Sequence, residues 1–201
     1  MNKVFRFLLI VVVLPLGGCV TAYTLVTPGV LLVGSLQMSP DDAWNLAPAA
    51  HSPSLRKGTQ VWTKDGPLLD RIMIIPGVPD GQPLLKDKTG TAALPVFRAN
   101  MLPNEIEELT ESSLVKIFGE GSAAVTTLNL RPHRFGSDRG VLFDLEIAVS
   151  DSPAYKGLVG AFVSNGLLYL MMYIGAEPYY YEKHLAAATA LISGARIADS
   201  A

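Results

Sequence analysis

A single cysteine, Cys19, occurs in the 201 residues. One thiol closes no disulfide within the chain and supplies no sulfur-rich metal site, so a cysteine-stapled scaffold is excluded. Charge is scarce as well: 17% of residues are Asp, Glu, Lys or Arg, and the formal net charge is −2. Nucleic-acid binding needs a concentrated basic surface, which this balance does not supply. His51, His133 and His184 stand far apart and no HExxH occurs, which argues against a catalytic zinc. No serine lies in a GxSxG elbow, and Asp41-Asp42 and Glu107-Glu108 fall where helix starts account for paired carboxylates. No uninterrupted apolar run approaches the ~20 residues of a membrane-spanning helix. The expectation is a domain with no catalysis, no cofactor and no bound metal.

What the chain does have is an address. Lys3 and Arg6 precede the apolar run Phe7 to Leu14, the charge and length pattern of an export signal over residues 1–18. Leu16-Gly17-Gly18-Cys19 follows and resembles the lipobox of bacterial lipoprotein precursors, with an aliphatic residue three positions before the cysteine and two small residues between. The resemblance implies a lipid on Cys19 and thereby a membrane partner for the chain. Each buried methylene contributes ~0.8 kcal/mol, and two or more acyl chains make a stable anchor. Val20 and Thr21, rather than Asp, follow the cysteine. In diderm bacteria that pattern points to the outer membrane, with the periplasmic face favoured.

The rest reads as one α+β domain. Residues 19–38 are expected to form a lipidated tether leading into a first strand or a small hairpin about Thr27-Pro28-Gly29. Residues 39–201 are expected to form the domain proper. Ser39-Pro40-Asp41-Asp42 carries the cap, proline and acidic residues of a helical turn, with Trp44 as a core anchor. Two strands flank Lys64-Asp65-Gly66-Pro67, and residues 76–95 read as a long exposed loop. Pro103 to Phe118 shows helical spacing in Ile106, Leu109, Ser113, Leu114 and Ile117. Strands follow at Val125–Leu130 and Val141–Val149, the latter alternating apolar with Asp144 and Glu146. Asn165-Gly166 joins Gly157–Ser164 to Leu167–Ile174 as a hairpin, a turn that needs positive φ twice. Met171-Met172 reads as core filling. Tyr181 to Ser193 reads as a closing helix, and Ala195-Arg196-Ile197 then leaves the domain.

These features together resemble the PsbP/Mog1-type sandwiches found in many envelope lipoproteins, the DcrB-like group among them. The carrying residues are the helix Pro103–Phe118, the turn Phe135-Gly136, the strand Val141–Val149, the hairpin from Lys156-Gly157 through Asn165-Gly166-Leu167-Leu168-Tyr169, and the ending Ile192-Ser193-Gly194-Ala195-Arg196-Ile197. The resemblance covers roughly the last hundred residues, with Ser39–Trp44 as weaker N-terminal support. It implies an antiparallel sheet with helices packed against it, an α/β/α arrangement, and a binding or assembly role without chemistry.

Three groups stand out as candidates. Arg131, His133, Arg134 and Arg139 are the main basic concentration and suit an anion or partner patch, against the alternative of local ion pairs on a solvated loop. Tyr179-Tyr180-Tyr181 suits a partner surface or a cap on the sheet. Cys19 is the lipid attachment point. The leading expectation is a non-catalytic envelope lipoprotein that binds a protein partner. A carrier of a small apolar or lipid ligand is the alternative, and a hydrolase built on His133 and Asp144 is a third.

Overall fold

The computed structural model describes residues 22–48, 55–86, 93–118, 121–150 and 152–198. The export signal, Cys19, His51 and part of the 76–95 loop lie outside the described residues. Eleven strands and two helices are ordered along them. Eight strands form one antiparallel sheet in the order β1 (Thr24–Val26), β4 (Trp44–Leu46), β5 (Gln60–Thr63), β6 (Asp70–Val78), β10 (Leu167–Ala176), β9 (Tyr155–Ser164), β8 (Asp138–Val149) and β7 (Ala123–Phe135). A small second sheet pairs β2 (Leu31–Val33) with β3 (Leu36–Met38), and β3 with β11 (Arg196–Ile197). Helix α1 (Pro103–Phe118) covers one face of the large sheet. Helix α2 (Tyr180–Ser193) and the small sheet cover the other.

Strand alternation produces these two cores. On β8, Val141, Phe143, Leu145 and Ile147 face α1, while Leu142 and Asp144 face α2. On β10, Leu168, Leu170, Met172 and Ile174 join the α1 core; Tyr169, Met171 and Tyr173 join the α2 core. The sheet is thus buried on both sides, which explains why its central strands read as continuous apolar runs. At the start of α1 the Glu105 carboxylate accepts the Leu102 N–H at 2.6 Å, satisfying a donor that the helix leaves open.

Helix α2 comes close to the sheet at Gly160, which lacks a side chain, and Gly140 nearby leaves room for the rings beneath it. A Cβ at Gly160 would collide with Ile192 of α2 and approach the Phe135 ring at 3.0 Å. At Gly140 it would meet Phe162 at 2.6 Å and Phe135 at 2.9 Å. The freed space holds a ladder of rings: His133 edge-on to Phe135 at 4.7 Å, Phe135 stacked on Phe162 at 4.8 Å, and Phe162 stacked on Tyr169 at 5.1 Å. The Tyr169 hydroxyl then meets Ser35 Oγ in the β2–β3 turn at 3.0 Å, tying the small sheet to the large one.

Several local expectations meet a different structure. Ser39–Trp44 is no helix: Trp44 opens β4, which pairs with β1 on one side and β5 on the other. Burial of the Trp44 ring, 1% exposed, and two rows of strand pairing outweigh a local capping signal. Residues 24–38, read as tether and first strand, supply three strands, and the hairpin among them is β2–β3. Ala195-Arg196-Ile197 does not leave the domain, because Ala195 is fully buried and β11 pairs with β3. The 76–95 stretch is partly core: β6 runs on to Val78, and Leu84 and Leu85, with Phe97 just beyond, pack beneath α1. Bonds from Gly81 N–H to Phe97 O and from Phe97 N–H to Gln82 O hold that segment closed.

Candidate functional site

The sequence places Arg131 to Arg134 in a loop; the structure places them in β7, an edge strand, where Pro132 is tolerated because no further strand needs its missing N–H. A bulge precedes them. Between Leu128 and Arg131 the register with β8 shifts by one residue, and Asn129 takes a left-handed φ of 57°. That extra residue reverses the alternation, so Arg131 and His133 share a face with Phe135 while Arg134 and Arg139 take the other. Arg131 is thereby set apart, whereas His133, Arg134 and Arg139 still border one shallow depression at the β7–β8 edge. Arg131 pairs with Asp144 at 3.0 Å, and the Asn129 amide donates to the same carboxylate at 2.9 Å. His133 Nε2 lies 3.0 Å from the Ser193 carbonyl at the end of α2. Arg134 donates weakly to Ser137 O at 3.3 Å, directly across from Arg139. Asp144 pairs four rows from the residue opposite His133, about 13 Å along the strand. A hydrolytic His133–Asp144 pair has no geometry here.

The tyrosine run is divided between core and surface. Tyr181 is 8% exposed and stacks on Tyr173 at 5.8 Å; Tyr179 is 61% exposed. The Tyr173 hydroxyl lies 2.9 Å from the Tyr180 carbonyl and 3.1 Å from that of Tyr181. Burial raises both phenols, Tyr181 up to about 12, so neither ionises at physiological pH.

A dense polar cluster among the described residues is one the sequence does not announce. In the β5–β6 turn the buried Asp70 carboxylate accepts the N–H groups of Lys64 at 2.8 Å and Asp65 at 2.6 Å. Thr63 Oγ1 donates toward Asp70 and accepts the Gly66 N–H at 2.8 Å. This frame presents Asp65 to the start of α2, where Oδ2 lies 2.7 Å from both Lys183 Nζ and His184 Nε2. The hydrogen bond from Lys183, followed by that from His184, holds the Asp65 carboxyl below its ordinary range; Lys183 is raised in return. His184 is buried on α2, with Trp44 tilted against it at 6.5 Å. Asp65 and His184 are 119 positions apart, so no local motif could have shown the pair.

Ligand atoms of Asp65, Asp70 and His184 lie within 4.8 Å of one another, and among the described residues these are the group that could hold a cation. The Asp70 oxygens already accept the turn's Lys64 and Asp65 N–H groups, and the Lys183 ammonium and the His184 ring occupy Asp65 Oδ2. A divalent ion would have to displace both. The arrangement works as a latch joining the β5–β6 turn to α2. It has the base and orienting halves of a triad, but the nearby Thr63 hydroxyl is spent inside the turn.

No family model and no curated protein sequence matches the chain. Among solved structures it is similar to the solution structure of cyanobacterial PsbP (CyanoP) from Synechocystis sp. PCC 6803. The TM-score is 0.56 at 11% identity, over 92% of this chain and 99% of that one. The fold is PsbP-like. The likeness spans nearly the whole length, well beyond the last hundred residues that carried the sequence resemblance. At such identity the PsbP-like fold transfers architecture and no residue roles.

One further depression, of about 250 Å³, lies at the β1–β4–β5 edge, lined mostly by apolar residues including Leu46, Leu55 and Val61. Thr59 Oγ1 borders it, buried and without a hydrogen-bond partner among the described residues.

Proposed function

We propose that this chain is a lipid-anchored envelope protein that acts by binding and not by catalysis. The observation that carries the reading is the position of its single cysteine: Cys19 closes a lipobox-like Leu16-Gly17-Gly18-Cys19, five residues before the first strand at Thr24. A thioether lipid there would hold a compact domain against the membrane, the outer membrane at its periplasmic face given Val20 and Thr21. Support for a non-catalytic role comes from the polar groups. His133, His184, Asp65, Asp70 and Asp144 are each engaged by partners that hold the fold together. The anticipated partner is an envelope protein.

Proximity crosslinking of the intact protein in its native envelope, beside a Cys19→Ala form, tests this. A protein partner captured only by the anchored form is the expected result. Equal membrane fractionation of the two forms would remove the reading.

The depression bordered by Thr59 favours a second reading, a carrier of a small apolar ligand with one polar group for the Thr59 hydroxyl. Its volume falls just below the ~300 Å³ of ordinary ligand sites. Mass spectrometry of lipids co-purified with the protein separates the two: a bound small molecule without a protein partner favours the carrier.

A further inference from the structure

We infer that the end of the domain formed by the 55–58 segment, the β2–β3 and β7–β8 turns and β11 faces the bilayer that receives the Cys19 lipid, with its arginines on anionic phospholipid headgroups. This rests on the lipoprotein reading above. Strand direction selects the end. Thr24 pairs with Leu46 and Leu46 with Trp62, so β1 runs in the same direction as β5, and the chain before β1 lies beside the start of β5. There Ala22 lines one depression with Thr59 and Gln60. Cys19 is three residues further back. An extended chain of that length reaches about 11 Å at most. The β5–β6 turn lies at the opposite end of the strands.

Contacts join this exit to a set of basic residues. Gly58 and Gly34 both abut Pro76, where an added Cβ would come within 3.9 Å and 3.0 Å of its ring. The Ser35 carbonyl, next to Gly34, accepts the Ala198 N–H at 2.9 Å, just past β11. Arg196 on β11 sits against Gly136 in the β7–β8 turn, where an added Cβ would lie 3.1 Å from its own. These segments carry Arg56, Lys57, Arg134, Arg139 and Arg196 against one carboxylate, that of Asp138. Among the described residues none of the five cations has a carboxylate partner; Arg56 donates to Pro83 O and Arg134 to Ser137 O. At the other end the lysines are neutralised, Lys64 by Asp42 at 3.1 Å, Lys156 by Glu177 at 2.7 Å and Lys183 by Asp65 at 2.7 Å. Uncompensated positive charge thus sits where the tether leaves. The lipid supplies attachment, so these cations need only orient the domain. Guanidinium groups match phosphate as planar forks, and each basic side chain near an anionic surface shifts the balance about fivefold. Salt screens such contacts.

The test places the chain, isolated from native membranes, in vesicles of phosphatidylcholine alone or with phosphatidylglycerol. One form carries a dye on Ser137→Cys in the β7–β8 turn, another on Leu68→Cys in the β5–β6 turn, where Leu68 is 76% exposed. Quenching by headgroup nitroxides is expected at 137 and not at 68, only with phosphatidylglycerol, and is lost at high salt. Arg134→Glu, Arg139→Glu and Arg196→Glu together should abolish the quenching at 137 while circular dichroism and flotation with the vesicles stay unchanged. Equal quenching at 68 and 137, or quenching at 137 that ignores both phosphatidylglycerol and the three substitutions, would overturn the inference. So would protection at 137 in native envelopes but not in vesicles, which assigns the surface to an acidic protein. With Cys19 in a thioether each form takes one dye; two dyes would show Cys19 to be free and would remove the lipoprotein reading itself, and the inference with it.

Discussion

The half of the sheet from β7 to β10 and the part from β1 to β6 are held together in different ways. In the first, every strand pairs with the strand next to it in sequence: β7 with β8, β8 with β9, β9 with β10. In the second, neighbour pairs β2–β3, β4–β5 and β5–β6 are joined by long-range ones: β1 skips to β4, β3 takes a second partner from β11 at the chain's other end, and β6 pairs with β10. Neighbouring pairs close short loops at small entropic cost, whereas distant pairs depend on the finished core. The N-terminal part is thus stabilised chiefly by what the C-terminal half presents to it.

The sharpest way to break that dependence is Trp62→Ala. Trp62 is 1% exposed and lies in a row with Ile72, Tyr173 and Leu158 on the α2 face. Its loss should cost about 3–5 kcal/mol by chemical denaturation and release amide protection in β1, β4 and β5 before β8 and β9. Uniform loss of protection would contradict the comparison. Gly160→Val comes next. Its side chain must push Ile192 and Phe135 away, lifting α2 and with it β11; about 1–3 kcal/mol is expected, with loss of the β3–β11 amide signals first.

A smaller effect is expected from Asp65→Asn, which weakens the latch without opening a cavity, by about 1 kcal/mol. It carries a pH signature. Because the folded carboxyl titrates below its ordinary value of 3.8, its stabilisation is complete above that value and is lost as pH falls through the folded pKa. Thermal melts of the variant should show a shallower decline across that acid range than the parent; parallel curves would mean the latch carries no charge-dependent stability. The smallest change should come from Arg131→Ala. Its ion pair with Asp144 is 42% exposed on the arginine side, so only a few tenths of a kcal/mol are at stake in the melt.

The same contrast explains how much could be read in advance. The helix Pro103–Phe118 follows from apolar spacing within one segment, and the Asn165-Gly166 turn from two residues whose φ angles are 51° and 74°. Trp44 was legible as core but not as strand, because its pairing partners lie in β1 and β5. The basic residues 131–139 were visible as a cluster in sequence, yet one bulged residue at Asn129 distributes them over two faces. The Asp65–His184 latch left no trace in either local sequence, since an aspartate in a turn and a histidine on a helix are individually ordinary.

The sequence by itself determined the class of the fold, the two helices, the tight hairpins of the C-terminal half and the position of the lone cysteine, because each depends on residues within a few positions of one another. Only the tertiary structure decided that residues 24–38 join the domain, that β11 closes the small sheet, which basic residues share a face, and that Asp65 meets His184. Those outcomes depend on burial and register summed over distant segments, a quantity no local window contains.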